Sequence, residues 1–395
     1  MLDDRSQKSR QSLRRATQIV HEGLDPSAFH GFVNPPVVHA STVLFPDVET
    51  LISRNQKYTY GRSGTPTTDA LVSLVSALEG ADNTVLAPTG LAACTLALGA
   101  VVSQGDQVVV VDNIYRPTRT FCDNVLPQYG ITTTYIDPND LSALAKALER
   151  KTAAVFLEAP GSLTFEMSDV PAMARMAREA GAVSIMDNTW ATPVFFQPLA
   201  HGVDLSIQAA TKYFGGHSDL LLGTIAGNGE LITKVRRYWD AWGMHVGPDD
   251  VNLTLRGMRT LDVRLARHQH NARIVAEWLS AHPAVHKVLY PALPDAPGHD
   301  LWKRDFTGAT GLFGLAFKVD DFAPVATFIN ALRLFGIGAS WGGFESLVVP
   351  AQLGNDRTVA PWPADEQVVR LHVGLEDPQD IIEDLEQALE KAFPA

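Results

Sequence analysis

The sequence predicts an α/β protein with a large, mostly parallel sheet and a smaller α+β region toward the C-terminus. Its 395 residues, of which 46% are hydrophobic, can bury a large core. Short apolar runs alternate with helical periods up to about residue 255, and this alternation is typical of a parallel sheet covered by helices. The pattern changes near residue 256. We therefore expect an N-terminal arm over 1–60, a large domain over 61–255 and an α+β domain over 256–395.

The large domain begins with a helix and continues through alternating strands and helices. Residues 68–80 place Leu71, Leu74 and Leu78 on one helical face, and Gly80 suits the left-handed end of a helix. The short β-rich runs that follow alternate with helical patterns, which predicts parallel strands joined by helices. The predicted strands are 107–112, 131–137, 153–158, 182–187 and 203–208, with helices over 140–150 and 169–180.

The C-terminal domain mixes helices and strands in a different order. A long amphipathic helix over 264–280 precedes a Pro-rich stretch, a strand-like run over 311–319 and a helix over 324–335. Two further short strands and a terminal helix over 380–393 follow. This order is typical of an α+β domain. The first 60 residues are irregular and basic at their start, so we expect an arm there and not a domain.

Charge and cysteine content disfavour several classes of protein. The 32 Lys and Arg residues against 44 Asp and Glu leave a net charge of −12, which disfavours nucleic acid as a partner. Cys94 and Cys122 lie in no Cys-x-x-Cys spacing, so we expect a reducing compartment and no thiolate metal site. The N-terminus lacks the apolar core of a signal peptide, and no run of about 18 apolar residues occurs. We predict a cytoplasmic protein without a membrane partner.

Two polar residues at predicted strand ends suggest a cofactor site. Ligands of open α/β sheets bind beyond the carboxyl ends of the strands. Asp187 closes the run 182–187, and Lys212 lies in the polar loop after the run 203–208. A lysine can form a Schiff base with pyridoxal phosphate while a carboxylate keeps its pyridine nitrogen protonated. The alternative is a surface lysine and an N-capping aspartate.

Two Gly-containing turns are candidate phosphate contacts. Residues 87–102 form a turn and then a helix of small residues, with Gly90 at its mouth. A helix N-terminus attracts phosphate, and a glycine allows close approach. Tyr60 and Arg62 lie in a second Gly-rich turn, where the arginine fork could bind phosphate oxygens. The alternatives are an ordinary turn glycine and an exposed loop arginine.

Tyr115 and Arg370 are further candidates. Tyr115 follows the run 107–112, where its ring could stack on a planar cofactor, although core packing is the alternative. Arg370 lies in an apolar strand context, in which an uncompensated guanidinium would be costly. It therefore needs a carboxylate, which either Glu376 or a substrate could provide.

Together these segments resemble a known family. The chain is similar to the trans-sulfuration enzymes of cysteine and methionine metabolism, which have PLP fold type I (aspartate aminotransferase-like), and within them most similar to the bacterial cystathionine β-lyases. The likeness extends from about Thr17 to the C-terminus. The segments that carry it are SIQAATKYFGGHSD, IMDNTW, YGRSGTPT, NPPVVHASTVLF and SWGGFESL.

The resemblance implies a role for each candidate that binds pyridoxal 5'-phosphate. Lys212 would form the Schiff base, and Asp187 would pair with the pyridine nitrogen. Tyr115 would stack on the ring, act with Lys212 in catalysis and contact the substrate. The phosphate would bind the backbone N–H groups of Gly90 and Leu91 and the hydroxyl of Thr211.

The resemblance also implies a substrate pocket and a partner subunit. Arg370 would bind the α-carboxylate of an amino-acid substrate, with Ser340 and Trp341 lining the same pocket. Tyr60 and Arg62 would reach the cofactor of the neighbouring subunit. The family therefore predicts a homo-oligomer, a dimer that shares its sites within a tetramer.

Two positions depart from the family pattern. Ala209 stands where members often have a phosphate-binding serine, so affinity for the cofactor could be lower. Ala339 stands where the β-lyases have an aromatic residue, which leaves a roomier pocket.

Two segments indicate the reaction. The γ-acting relatives have Ser-Leu-Gly-Gly where this chain has Ser-Trp-Gly-Gly, beginning at Ser340. They also have an ESPTNP-like segment where this chain has EAPGSLTFE at 158–166. Both differences favour β-elimination, so cystathionine would give homocysteine, pyruvate and ammonia. A cysteine desulfhydrase or broad cysteine S-conjugate β-lyase is the alternative, followed by a γ-lyase or γ-synthase.

Other classes of protein are disfavoured. A nicotinamide dehydrogenase is one of them, because no Gly-x-Gly-x-x-Gly turn follows a predicted strand. A non-catalytic binding protein of this fold would be expected to lack Lys212 or Arg370. Both residues are present, which disfavours that class.

Overall fold

The computed structural model describes residues 13–354 and 357–394 and contains two sheets. The strands are β1 Asn83–Ala87, β2 Gln107–Val111, β3 Thr132–Ile136, β4 Thr152–Glu158, β5 Val183–Asp187, β6 Leu205–Ala209, β7 Gly223–Gly227, β8 Lys287–Leu289, β9 Leu312–Lys318, β10 Gly336–Ile337, β11 Leu347–Ala351 and β12 Glu366–His372. The helices are α1 Arg15–His21, α2 Val48–Ser53, α3 Pro66–Glu79, α4 Gly90–Val101, α5 Arg116–Asn124, α6 Leu141–Leu148, α7 Val170–Glu179, α8 Thr192–Phe195, α9 Gly229–Ala241, α10 Pro248–Met258, α11 Leu261–Ser280, α12 His299–Asp305, α13 Ala323–Ala331 and α14 Pro378–Ala392.

The larger sheet has seven strands in the order β1-β7-β6-β5-β4-β2-β3. Strands β2 to β6 pair in parallel, while β7 runs antiparallel to both β1 and β6. The central strands are apolar because helices cover both faces of the sheet, and every residue of β2 is buried. The predicted α/β fold class is confirmed.

Strands β2 to β6 match the runs predicted from the sequence, whereas β1 and β7 were not predicted. The sequence of β7, Gly-Thr-Ile-Ala-Gly, has glycine at both ends and only one large apolar residue. Its strand conformation depends on pairing with β1 and β6 on its two sides. Sequence pattern alone contains no sign of those partners.

Helix α3 shows how local sequence sets the ends of an element. The Thr65 side chain accepts a hydrogen bond from the N–H of Thr68, whose side chain in turn accepts from the N–H of Thr65. This cap and Pro66 in the first turn start the helix two residues before the predicted position. Gly80 ends it at φ 67°, in the left-handed conformation predicted for it.

The smaller sheet has five strands in the order β10-β11-β12-β9-β8 and packs against α11, α13 and α14. The predicted helix over 264–280 and the terminal helix are present, and the structure adds β8 and β10. The predicted boundary after residue 255 lies inside α10. The division into domains stays a prediction, and residues 355, 356 and 395 of the C-terminal part lie outside the described residues.

The predicted arm, of which residues 1–12 lie outside the described residues, exposes much apolar surface. Phe32 is 72% exposed, Leu44 85% and Ile52 79%. Large exposed apolar side chains are typical of a protein contact surface where they lie side by side. Among the described residues, no helix is long and apolar enough to cross a membrane.

Candidate active site

A cavity of about 390 Å³ lies at the carboxyl edge of the larger sheet and faces the smaller sheet. This is the expected ligand position in an open α/β sheet, and the volume suits a small molecule. Parallel pairing places the ends of β4, β5 and β6 side by side at this edge. The predicted site residues that line the cavity are Gly90, Leu91, Tyr115, Asp187, Thr211, Lys212, Trp341 and Arg370.

Lys212 lies in the loop after β6 and points at the small-sheet side of the cavity. Its Nζ donates a hydrogen bond to Ser340 Oγ at 2.6 Å and lies 5.3 Å from the centre of the Trp341 ring. Burial and the nearby Arg370 charge lower the pKa of Lys212 to about 8, against the opposing effect of Asp187. About a tenth of the amine is therefore uncharged at pH 7, against far less than a hundredth for an ordinary lysine, and the uncharged form is the one that a nucleophile or base requires.

Asp187 ends β5 inside the same cavity and has several donors. Its Oδ1 accepts from the N–H of Thr189 at 3.0 Å and from the Thr189 hydroxyl at 2.5 Å. Cys94 Sγ lies 3.8 Å from Oδ2 and keeps its proton, because burial raises the thiol pKa well above its usual value. Burial also raises the pKa of Asp187. The surface alternative for Lys212 and Asp187 is wrong, since both residues line one cavity.

Tyr115 lies at the cavity mouth, just before α5. It is 42% exposed, so the alternative that it packs in the core is wrong. Its backbone N–H donates to Glu158 Oε2 at 2.7 Å. Glu158 ends β4 directly opposite Asp187 of β5. Burial and then the Asp187 charge raise the pKa of Glu158 well above its usual value.

The N-terminus of α4 presents unpaired backbone N–H groups to the cavity. Thr89 caps the helix by accepting from the N–H of Ala92 at 3.0 Å, and among the described residues no acceptor faces the N–H groups of Gly90 and Leu91. A Cβ on Gly90 would lie 2.5 Å from the Cβ of Ala209, so this position requires glycine. The site thus offers a helix N-terminus at which an anion can approach the backbone.

Thr211 lies beside the N-terminus of α4, and its hydroxyl contacts the backbone of Leu222. Its Oγ1 accepts from the N–H of Leu222 at 3.1 Å and lies 3.3 Å from the Leu222 carbonyl. The hydroxyl has one proton to donate. It can give that proton to a phosphate oxygen while it continues to accept from Leu222.

Arg370 projects from β12 without a carboxylate partner among the described residues. Its Nη2 donates to the carbonyls of Ala339 at 2.8 Å and Ser340 at 2.9 Å. Burial lowers the pKa of Arg370 to about 10. Glu376, the candidate protein partner, instead accepts from the N–H of Ser346 at 2.7 Å. Among the described residues, backbone carbonyls and not the expected carboxylate are therefore the partners of Arg370.

Tyr60 and Arg62 lie in a different cleft. Tyr60 is 45% exposed, and Arg62 Nη1 lies 3.6 Å from Asp240 Oδ1. Both residues line a separate cleft of about 440 Å³ and not the cavity around Lys212. A single chain does not bring this turn to the other candidate residues.

The sequence analysis missed three residues around Asp187. Thr189 donates to Asp187 and also accepts from the N–H of Ala209 at 2.8 Å, which joins the ends of β5 and β6. Cys94 and Glu158 supply the remaining neighbours. Glu158 closes its predicted strand as Asp187 closes another, so the strand-end rule could have identified it. No sequence signal identifies Cys94, which reaches the site through the packing of α4.

Comparisons with known proteins identify the family of the chain. A sequence model of the family described as Cys/Met metabolism PLP-dependent enzyme matches residues 16–390. A protein of Rhizobium johnstonii with the provisional name cystathionine beta-lyase is 50% identical over 380 residues, which cover 95% of this chain and 96% of that protein. Cystathionine beta-lyase MetC of Escherichia coli K12 is 40% identical over 381 residues, which cover 94% of this chain and 96% of that protein.

A solved structure has the same fold. Cystathionine gamma synthase from Xanthomonas oryzae pv. oryzae, in complex with aminoacrylate and cysteine, matches with a TM-score of 0.88 and 32% identity, covering 96% of this chain and 98% of that chain. The predicted fold type I is thereby confirmed. The relatives include both β-acting and γ-acting enzymes. The chain itself belongs to the Cys/Met metabolism PLP-dependent enzymes, and pyridoxal 5'-phosphate is its cofactor.

Proposed function

We propose that this protein is a carbon–sulfur β-lyase that converts cystathionine and water to homocysteine, pyruvate and ammonia. The observation that carries the proposal is the position of Lys212, whose Nζ lies 2.6 Å from Ser340 Oγ and next to the Trp341 ring. Arg370, without a protein carboxylate in the described chain, borders the same space. Similarity to proteins named cystathionine beta-lyase supports the same reaction.

The cavity residues fit the cofactor. Asp187 is a buried carboxyl held by Thr189 and Cys94, and it would pair with the pyridine nitrogen. The N–H groups of Gly90 and Leu91 would hold the phosphate, with the Thr211 hydroxyl as a further donor, and Tyr115 would stack on the ring. When bound, pyridoxal 5'-phosphate supplies a protonated ring that accepts the electron pair released at the substrate α-carbon.

The chain's own groups would then orient the substrate and move protons. The Arg370 fork matches the α-carboxylate bidentately and fixes the α-carbon near Lys212. The lowered pKa of Lys212 allows its uncharged amine to take the α-proton, and the resulting ammonium can protonate the departing sulfur. Ser340 would keep the Lys212 amine in place between these two transfers.

The segment beside Lys212 supports β-cleavage over γ-cleavage. Trp341 occupies the position at which the γ-acting relatives have leucine, and it borders the space next to Lys212. We infer that this ring limits movement of the substrate side chain, so that elimination ends at Cβ. Ala339 also lines the cavity but is small. A cysteine S-conjugate β-lyase with broad side-chain tolerance is the second candidate, and Ala339 is the residue that favours it.

We also propose that a second copy of the chain completes each site. Tyr60 and Arg62 lie outside the cavity of their own chain, on a surface next to the exposed apolar residues of the arm. In the neighbouring subunit's site, Arg62 would bind a cofactor phosphate oxygen and Tyr60 would lie beside it. The proposed assembly is a dimer that shares its sites, within a tetramer.

Product analysis tests the reaction. The purified holoenzyme is incubated with cystathionine, cysteine or an S-alkylcysteine, and 2-oxo acids and thiols are quantified. Pyruvate and homocysteine from cystathionine are expected, with slower pyruvate release from cysteine. Release of 2-oxobutyrate from cystathionine would show γ-cleavage and contradict the proposal. Faster pyruvate release from S-alkylcysteine than from cystathionine would favour the second candidate.

A further inference from the structure

Two side chains of β12 hold the turn that carries Ser340 and Trp341. Arg370 donates to the carbonyls of Ala339 and Ser340 at the start of this turn. Two residues later, His372 Nε2 lies 3.1 Å from the N–H of Gly342 at its other end. Residues i and i+2 of a strand point to the same face. Strand β12 therefore makes hydrogen bonds to both ends of the turn.

The turn lies directly against the backbone of Lys212. Gly342 has φ 84°, and a Cβ at this position would lie 3.0 Å from Lys212 Cα and 2.9 Å from the N atom of Tyr213. The backbone of the turn therefore touches the backbone that carries the lysine, while Ser340 Oγ lies 2.6 Å from Lys212 Nζ. A small movement of Gly342 would shift both Ser340 and Trp341 relative to the amine.

The ring of His372 holds the far end of the turn through one nitrogen. Its Nε2 lies 3.1 Å from both the Gly342 nitrogen and the Gly343 carbonyl oxygen, so it accepts from the first in one tautomer and donates to the second in the other. Both glycines are buried. In either tautomer, Nε2 therefore makes a hydrogen bond to the Gly342–Gly343 backbone.

His372 is fully buried, in contact with His268 and Tyr213. Burial, and then the nearby His268, lower the pKa of His372 well below its usual value. The ring is therefore uncharged above about pH 6.5, with one ring nitrogen as a donor and the other as an acceptor. The Nδ1 atom of His372 has no partner among the described residues.

We propose that His372 is a positioning residue of the active site, whose Nε2 holds the Gly342–Gly343 end of the turn and thereby keeps Ser340 and Trp341 against Lys212. His372 does not itself line the cavity around Lys212. The inference rests on the proposed function, because it assigns the Ser340–Trp341 turn to the reaction.

His268 provides a matched control. It is as fully buried as His372, and the two ring centres lie 5.1 Å apart. Its Nδ1 lies 2.9 Å from the carbonyl of Val373, and it makes no hydrogen bond to the turn among the described residues. Replacing either histidine with leucine removes a buried ring from the same cluster, but only His372→Leu removes the hydrogen bond to the Gly342–Gly343 backbone.

Four variants of the holoenzyme test the inference: His372→Leu, His372→Gln, His372→Asn and His268→Leu. A glutamine amide oxygen can occupy the position of Nε2, whereas an asparagine oxygen reaches only that of Nδ1. We expect His372→Leu to lower kcat about 10- to 100-fold, as small displacements of catalytic groups do, with KM little changed. His372→Gln should restore most of kcat and His372→Asn should not. His268→Leu should lower the unfolding temperature while kcat stays within about threefold of wild type.

Hydrogen exchange of the Gly342 amide is the second measurement, and it is independent of the reaction. The amide should exchange at least about tenfold faster in His372→Leu than in wild type or His268→Leu, because the turn has lost its hydrogen bond to His372 and opens more often. Unchanged kcat in folded His372→Leu, equal losses in the two leucine variants, or equal behaviour of the glutamine and asparagine variants would overturn the inference. If His372→Leu does not fold, the glutamine and asparagine pair decides. A failure of the proposed function would instead appear as a different product from the wild-type enzyme.

Discussion

The cavity around Lys212 and the cleft around Tyr60 and Arg62 are built in opposite ways. In the cavity, the charged side chains have close hydrogen-bond partners from the same chain, as Asp187 has in Thr189 and Lys212 in Ser340. In the cleft, Tyr60 is 45% exposed, and the carboxylate nearest to Arg62 among the described residues is Asp240 at 3.6 Å.

The difference separates what one chain completes from what it leaves for another. Groups at the ends of parallel strands are preorganised, because the sheet that carries them is rigid and buried. The turn at Tyr60 follows a segment, the predicted arm, in which several large apolar side chains are exposed among the described residues. We therefore expect substitutions in the cavity to damage a site within its own chain, and substitutions in the cleft to damage the site of a neighbour.

The largest effect is expected from Lys212→Ala. Loss of the proposed general base should lower kcat by about 10²- to 10⁴-fold, while the fold remains. Borohydride reduction of the wild-type holoenzyme, followed by peptide mapping, should find the cofactor attached to Lys212. A label on another residue, or a colourless wild-type protein after incubation with excess cofactor, would show that the cavity is not the cofactor site.

Arg62→Ala tests the cleft directly. It should weaken phosphate binding by roughly 2 to 5 kcal/mol, as does loss of one partner of a buried charge pair. Mixed oligomers of Arg62→Ala and Lys212→Ala subunits should recover part of the activity, because some of their sites contain both wild-type residues. No recovery in verified mixed oligomers would mean that Arg62 acts in its own chain or not in the site.

The pH dependence of Lys212 reactivity in the apoprotein tests whether the cavity of a single chain lowers the pKa of this lysine. Because the pKa of Lys212 is about 8, its uncharged fraction should rise about tenfold per pH unit below pH 8 and level off above it. Acylation of Lys212 in the apoprotein, followed by mass spectrometry, measures this fraction. The same lysine in the denatured protein is the control and should react increasingly up to about pH 10.5. A single profile for both forms would contradict the burial effect.

Glu158 should tolerate one substitution and not another. Glutamine is uncharged, like the protonated acid, and can accept the hydrogen bond of the Tyr115 N–H. Glu158→Ala leaves that donor without its acceptor, which costs about 1 to 3 kcal/mol, so kcat/KM should fall by about tenfold or more. Equal losses in the two variants would show that Glu158 acts as a charge, and not by holding Tyr115.

The smallest effect is expected from Ala339→Tyr at the rim of the cavity. The added ring should fill space beside the substrate side chain, so bulky S-substituted cysteines should lose more activity than cystathionine does. A size change of this kind in a pocket changes the discrimination between two substrates by about 1 to 3 kcal/mol of transition-state binding free energy. The ratios of kcat/KM among the substrates measure it, and an unchanged ratio would mean that Ala339 does not limit side-chain size.

Local patterns in the sequence predicted the fold class and most of the larger sheet. Periodicity identified β2 to β6 and α3, because side-chain spacing within one element reports which face is buried. The polar residues at strand ends identified Asp187 and Lys212, since parallel strands deliver their ends to one edge. Strand β7 was missed because its conformation depends on neighbours distant in sequence.

The sequence by itself determined which elements form and which residues have the chemistry of a cofactor site. Tertiary structure decided which of them meet. Lys212 and Ser340 are 128 residues apart in the chain but 2.6 Å apart in space. Glu376 was a candidate partner of Arg370 but binds Ser346 instead. Local composition specifies helices and strands through short-range sterics and periodicity, whereas contacts between distant segments depend on the packing of whole elements, and no short stretch of sequence contains that information.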